Sequence, residues 1–208
     1  MTDPLPAAPR DRLPVSAYHS RLPYGERLPA GEAEGNPFNP FDVPLTVVPL
    51  DDPVVPEPPR NGEEGGGECF RCANPDAYVI WRDEHWNVRC GSHSIGLPMV
   101  AGLAPDMHTT LHEMPDELAA SMGPVIRRVA LAVGRIDGVG RCHFARWGDG
   151  SEHFHMWFLA RPLGMMQMRG AMLAVWDDLL PRVPDDELAA NIRRVASALA
   201  EGGGEALV

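Results

Sequence analysis

The chain has 208 residues with 44% hydrophobic content, which is enough for one domain or two small ones. Its formal net charge of -11 at pH 7 argues against a nucleic-acid backbone or an anionic membrane as the main partner, because like charges repel. The amino-terminal residues lack the basic and apolar regions of a secretory signal, and no apolar run approaches the roughly 20 residues that span a bilayer. The chain contains 4 cysteines, which fits a reducing compartment better than a disulfide scaffold. We therefore expect a cytoplasmic protein.

Proline is concentrated at the beginning of the chain. Residues 1–66 hold fourteen of the 22 prolines, and proline neither donates to a strand ladder nor fits a helix interior. We therefore predict a Pro-rich, largely disordered arm over residues 1–66, a folded domain over residues 67–200 and a flexible tail over residues 201–208. Within the arm, the apolar run at residues 45–50 suits a short edge strand, or a segment laid along a partner subunit.

Beyond the arm, hydrophobic patterning alternates between strand and helix periods. Short runs of aromatic and branched residues predict strands at residues 78–81, 86–89, 98–104, 141–147 and 153–159. Prolines followed by acidic residues predict helix starts at Pro115 and Pro184, and residues 172–180 resemble a further short helix. A sheet with helices interspersed and following predicts an α+β domain.

Two cysteines open the predicted domain with the spacing of a metal knuckle. Cys69 and Cys72 are separated by two residues, which lets two thiolates from one turn grip zinc. Zinc takes four nitrogen or sulfur ligands in a tetrahedron, so two more are required. The sequence leaves two pairs open, either His108 with His153 or Cys90 with His93.

A second group of polar residues points to phosphate chemistry. In a strand over residues 153–159, His153, His155 and Trp157 project from one face, because side chains alternate with period two. The preceding residues 148–151 contain two glycines that can turn amides toward an anion, and Arg161 or Arg146 can supply a cation for paired bonds to phosphate. His155 is therefore placed to act as a nucleophile on phosphorus.

Residues 148–158 resemble the signature of the histidine triad (HIT) superfamily. The order of Cys69 and Cys72, then residues 104–108, then residues 114–118 is similar to that of the zinc-carrying HIT proteins, including the galactose-1-phosphate uridylyltransferase branch. The resemblance covers about residues 68–162. It implies a HIT-like antiparallel sheet with helices, and a homodimer.

The resemblance also implies roles for individual residues. It assigns structural zinc to four ligands, namely Cys69, Cys72, His108 and His153. It makes His155 the nucleophile that forms a nucleotidyl-histidine intermediate. From the residues themselves, we predict four positions near the substrate: Gly150, Ser151, Trp157 and Arg161. The third triad position holds Trp157, whose indole cannot accept a proton; it can stack on a base or sugar, or plug the pocket.

Three functions compete on this reading. The first is a HIT-like nucleotide-binding protein that hydrolyses or transfers a nucleoside phosphate through His155. The second is a non-catalytic HIT-like module that binds a nucleotide or a protein, with Trp157 blocking the chemistry. The third is a zinc-ribbon interaction protein that uses Cys90 and His93 and docks a partner through its Pro-rich arm.

Overall fold

The computed structural model describes residues 17–21, 23, 41–42, 46–47, 56–91 and 95–208, the two short pairs by their backbone alone. His93, one of the candidate zinc ligands, lies outside these residues. No helix in the described segments combines the length and the apolar character needed to cross a membrane.

The strands form one large sheet and one small one. The small sheet pairs β1 (Phe41–Asp42) with β2 (Thr46–Val47), at the apolar run of the arm. The large sheet has six strands, which are β3 (Val79–Arg82), β4 (Trp86–Arg89), β5 (Val100–Pro105), β6 (Val139–Ala145), β7 (Met156–Pro162) and β8 (Glu205–Ala206). Their order is β6-β7-β5-β4-β3-β8, and every neighbouring pair is antiparallel.

Among the described residues, five α-helices and one 3-10 helix, at Met166–Met168, accompany the strands. The α-helices are α1 (Ala17–Arg21), α2 (Phe70–Ala73), α3 (Asp116–Val133), α4 (Met172–Leu179) and α5 (Asp185–Ala200). The long helices α3 and α5 begin directly after Pro115 and Pro184 with acidic first turns, as the sequence predicted. The predicted α+β fold, an antiparallel sheet with helices, is therefore confirmed.

Alternate residues of the large sheet divide between two faces. One face joins α3 and α5 in the core, and its fully buried side chains include Trp86, Val88, Leu103 and Phe158. The Nε1–H of Trp86 donates to the hydroxyl of Ser121 in α3 at 2.8 Å. On the other face, Arg89, Gly102 and Trp157 are neighbours in register across β4, β5 and β7. We call it the α2 face, because Arg89 donates to the carbonyl of Asn74 at the end of α2.

The start of β7 differs from the prediction. The sequence predicted a strand from residue 153, whereas the ladder begins at Met156. The amide of Phe154 instead donates to the carbonyl of Thr109 at 2.8 Å, and the His155 ring bonds the His153 carbonyl at 2.9 Å. These local bonds compete with ladder pairing. The residues after them keep the predicted alternation, with Met156 and Phe158 in the core.

Parts of the predicted arm and tail contact the domain. In α1, Tyr18 is buried and donates its hydroxyl to the carbonyl of Gly96 at 2.8 Å. At the other end, β8 pairs with β3, and the indole Nε1–H of Trp81 donates to the carbonyl of Gly203 at 3.0 Å. The tail thus covers one edge of the sheet.

Candidate metal centre and histidine site

Four side chains from three separate segments converge beside α2. Cys69 and Cys72 come from the start and interior of α2, while His108 follows β5 and His153 precedes β7. One ligand atom from each lies within 4.8 Å of all the others. The structure therefore brings together the four residues that the HIT resemblance implied, and they form a site able to hold a metal ion.

The spacing of these atoms suits a tetrahedral ion. The Nδ1 of His108 lies 3.2 Å from the Cys72 sulfur, and the Nδ1 of His153 lies 3.5 and 3.6 Å from the sulfurs of Cys69 and Cys72. Zinc bonds of about 2.3 Å to sulfur and about 2.0 Å to nitrogen require a sulfur–nitrogen edge of about 3.5 Å in a tetrahedron. The cluster is therefore already near the dimensions that zinc requires.

The outer ring nitrogens of both histidines have partners. The Nε2–H of His153 donates to the carbonyl of Pro105, and the Nε2 of His108 bonds Glu152, each at 3.0 Å. These bonds direct each Nδ1 toward the sulfurs, which is the usual outer support of a metal-binding histidine. Burial lowers the pKa of His153 to about 4, so its ring is neutral at pH 7 and able to ligate. The hydrogen bond to Glu152 raises the pKa of His108.

Residues 60–67 close over the metal centre. Gly62 has a φ of 97°, and a Cβ on it would lie 2.9 Å from Cε1 of His108. Its neighbour Asn61 accepts a hydrogen bond from the amide of Glu152 at 2.9 Å and donates to the carbonyl of Gly150 at 3.3 Å. All but the last residue of this segment fall within the predicted arm over residues 1–66. The Asn61–Gly62 pair was the available signal, because Asn-Gly marks a turn with positive φ.

His155 lies next to this centre, turned toward Trp157. Its Nδ1–H donates to the carbonyl of His153 at 2.9 Å, which leaves the lone pair on Nε2. Burial lowers the pKa of His155, and the positive charges of Arg71 and Arg146 lower it further, while the bond to His153 raises it. The His155 and Trp157 rings meet edge to face, with centroids 5.8 Å apart. The site thus holds a neutral imidazole beside an indole.

The remaining predicted substrate residues are distributed unevenly. The carbonyl of Gly150 accepts from Asn61, and Ser151 pairs with Asn61 as a short bridge. Arg161 is not brought to the histidines: it is six residues along from His155, about 20 Å at a rise of about 3.3 Å per residue. Its Nη1 donates to the carbonyls of Pro162 and Met165. Arg161 lies on the same face of β7 as Trp157, because side chains alternate along a strand. The length of strand between His155 and Arg161 nevertheless keeps the guanidinium away from the histidines.

Cys90, the member of the alternative zinc pair that the structure describes, lies apart from the metal centre. Cys90 is buried in the core and donates its thiol to the carbonyl of Val100 at 3.4 Å. Burial raises the pKa of this thiol to about 12, which opposes the thiolate that a metal needs. Of the two pairs left open by the sequence, His108 and His153 are the ones that meet Cys69 and Cys72.

Comparison with solved structures identifies the fold. A histidine triad protein of Bradyrhizobium japonicum superimposes with a TM-score of 0.50 at 15% identity, covering 64% of this chain and 97% of that chain. A zinc-bound histidine triad family protein of Mycobacterium smegmatis gives 0.45 at 24% identity, covering 64% and 94%. A uridylyltransferase gives 0.44 at 19% identity, and the match covers 65% of this chain and 46% of that one.

Sequence comparisons add nothing to this match, since no family model and no curated protein sequence matches the chain. The match to the Bradyrhizobium protein covers 64% of this chain and nearly all of that one. The chain therefore has the fold of the histidine triad proteins.

Proposed function

We propose that this chain binds a nucleoside phosphate and hydrolyses it or transfers its nucleotidyl group through His155. One observation carries the proposal: the His155 Nδ1–H is held by the His153 carbonyl, so Nε2 offers its lone pair beside the α2 face. A nucleophilic imidazole needs this arrangement, with the far nitrogen fixed by a partner. Burial and two nearby arginines lower the pKa of His155, which keeps the ring neutral near pH 7.

The proposed reaction has two displacements at phosphorus. In the first, the lone pair on His155 Nε2 forms a nitrogen–phosphorus bond, and the bond from phosphorus to the leaving oxygen breaks with its electron pair on that oxygen. In the second, the oxygen of a water or an acceptor hydroxyl forms a bond to phosphorus and loses its proton to solvent, while the nitrogen–phosphorus bond breaks with its electron pair on Nε2. Trp157 has an N–H that donates a hydrogen bond but no group that moves a proton. The leaving oxygen therefore departs as an anion or takes its proton from solvent.

A structural zinc belongs to the same proposal. Its ligands are Cys69, Cys72, His108 and His153, and the sulfur–nitrogen distances of 3.2 to 3.6 Å support them. When bound, zinc supplies structural cohesion between α2 and the segments around β5 and β7. The zinc-bound histidine triad protein of Mycobacterium smegmatis favours the same metal here.

The substrate is proposed to lie between the glycine loop and Trp157. Gly150 and Ser151 precede His153 by three and two residues, so the loop provides an amide and a hydroxyl close to the histidines. Trp157 is half-buried on the α2 face and offers an aromatic surface for a base or sugar. Arg161 is left out of this proposal because of its distance along β7.

The test is a search for the covalent intermediate. The full chain is incubated with nucleotide sugars and nucleoside di- and triphosphates, quenched, and analysed by intact mass spectrometry. We expect a mass gain of one nucleoside monophosphate less one water, and its loss in His155→Ala. The exposed His112→Ala is the matched control and should keep the adduct. A panel that yields no His155-dependent adduct would contradict the proposed chemistry.

A second candidate is a non-catalytic module of the same fold. The observation that favours it is Trp157, whose ring lies 5.8 Å from the His155 ring where a third histidine would stand. Calorimetry with the same nucleotides separates the two candidates. Binding that is undiminished in His155→Ala, together with no turnover in the parent chain, would support the module.

A further inference from the structure

An arginine from the metal knuckle crosses the α2 face of the sheet. Arg71 lies between the two cysteine ligands, and its side chain reaches Gly102 in the middle of β5. A Cβ built on Gly102 would stand 3.0 Å from the Arg71 Nη2 and 4.0 Å from Cζ3 of Trp157. The guanidinium therefore occupies the space that the missing side chain of Gly102 leaves beside Trp157.

The same guanidinium lines a cleft of about 250 Å³ beside the metal centre. Two other arginines, Arg82 and Arg89, share its lining with His153, and Asp106 is its one carboxylate. Three guanidinium groups thus converge in a chain whose formal net charge is -11. Such a local concentration of positive charge attracts an anion.

The three arginines differ in how their donors are used. Arg82 pairs with Asp76 at 2.9 Å and Asp106 at 3.4 Å. Arg89 donates to backbone carbonyls and to the side-chain oxygen of Asn87.

In the described part of the chain, three buried arginine nitrogens have no hydrogen-bond partner: the Arg71 Nη1, the Arg82 Nε and the Arg161 Nε. The Arg82 Nε lies 3.4 Å from the Asp106 carboxylate, and Arg161 lies far along β7 from His155. Arg71 is therefore the one of the three that lies over Gly102 and makes no ion pair in the described residues. A buried unpaired donor is costly, and a charged one more so. A bound oxygen atom is what would remove that cost.

We propose that the Arg71 guanidinium is the phosphate-binding cation of this chain, laid over Gly102 between the metal centre and Trp157. The inference deepens the proposed function, since it names the group that holds the phosphate, and it replaces the sequence-based assignment to Arg161. Guanidinium suits this task because its planar fork makes paired bonds to phosphate oxygens. The binding itself does not require His155 to react.

The experiment measures binding of three probes to the full chain by calorimetry. The probes are inorganic phosphate, adenosine 5′-monophosphate and adenosine, which separate a free phosphate from an esterified one and from the nucleoside alone. We expect Arg71→Gln to weaken binding of both phosphate probes by about 10- to 100-fold, the loss of a hydrogen bond to a charged group, and to leave adenosine unchanged. Arg71→Lys should recover part of the loss, because it keeps the charge without the fork.

Two further variants keep the test decisive. Arg127→Gln removes an exposed arginine of α3 and should leave all three affinities unchanged. Gly102→Ala retains Arg71 but fills the space under it, so phosphate binding should weaken even if Arg71→Gln fails to fold. Unaltered phosphate binding in both site variants would overturn the inference, as would a parent chain that binds neither phosphate probe.

Zinc content distinguishes phosphate binding from support of the thiolates. If Arg71 binds phosphate, the Arg71→Gln variant should keep its zinc and lose affinity for phosphate. A variant that loses zinc and keeps phosphate affinity would show instead that Arg71 serves Cys69 and Cys72, and the inference would fall. Phosphate binding that depends on Arg71 in a chain that forms no His155 adduct would sustain this inference and reject the proposed chemistry alone.

Discussion

The two halves of the site differ in how completely their polar groups are paired. In the metal centre, each histidine has one nitrogen toward a sulfur and the other on a carbonyl or carboxylate. In the neighbouring half, His155 has one nitrogen bonded, and Arg71 has a buried nitrogen without a partner in the described residues. A fully paired cluster builds structure, whereas unpaired groups are free to receive a ligand. The comparison therefore separates a structural half from a binding half.

The largest expected effect comes from breaking the paired half. Cys72→Ser removes one ligand, and closing a structural zinc site contributes on the order of 10 kcal/mol to folding. We expect the variant to lose zinc and to unfold at a much lower temperature. A chelator should lower the unfolding midpoint of the parent chain to a similar value. Metal analysis and thermal unfolding measure both. Cys142→Ser, outside the cluster, is the control and should keep its zinc.

A smaller effect follows from loosening the outer support. Glu152→Gln weakens the bond to Nε2 of His108, and such outer partners are worth about 10- to 100-fold in metal affinity. We expect competition with a coloured chelator to show weaker zinc binding and unaltered affinity for phosphate. Equal losses of both would mean that the two halves are not separable.

The cover over the metal centre gives the next prediction. Gly62→Ala places a side chain at a φ of 97° and against Cε1 of His108. We expect a loss of about 1 to 3 kcal/mol in the free energy of unfolding, since positive φ is strained for alanine. Denaturant titration measures it, and the exposed Gly150→Ala, whose Cβ meets nothing within 4 Å, is the control. Equal stability of the two variants would contradict the close approach.

The smallest effect concerns protonation in the binding half. Burial and the charges of Arg71 and Arg146 lower the pKa of His155 below the usual histidine value of about 6.5. The reactive form is neutral, so adduct formation should persist as pH falls through about 6.5 and decline only at lower pH. Arg71→Gln removes one of the two positive charges that lower the pKa of His155. The pH below which adduct formation declines should therefore be higher in this variant than in the parent chain. If adduct formation by the parent chain already declines at about pH 6.5 or above, the lowered pKa of His155 is refuted.

The sequence predicted the paired half better than the binding half. The spacing of Cys69 and Cys72 predicted two ligands without knowledge of strand pairing, but it left the second pair open, and the resemblance to the histidine triad proteins favoured His108 and His153. Arg71 was not predicted, because its position depends on Gly102, which becomes its neighbour only when α2 packs against β5. Arg161 was predicted as a cation able to pair with phosphate, from its residue type and its place after the histidines, and neither gives its distance from His155. The contact of Gly62 with the metal centre was not predicted, because the many prolines before it indicated an arm. The Asn61–Gly62 pair was a single turn signal against that pattern.

His153 belongs to both halves, and this has a consequence for how the molecule is controlled. Its ring faces the two sulfurs, while its carbonyl holds the Nδ1 proton of His155. Metal binding by the cluster and the orientation of the His155 ring therefore both depend on the position of His153. Removal of the proposed zinc is therefore expected to free the His155 ring from its carbonyl partner, in addition to lowering the stability of the fold.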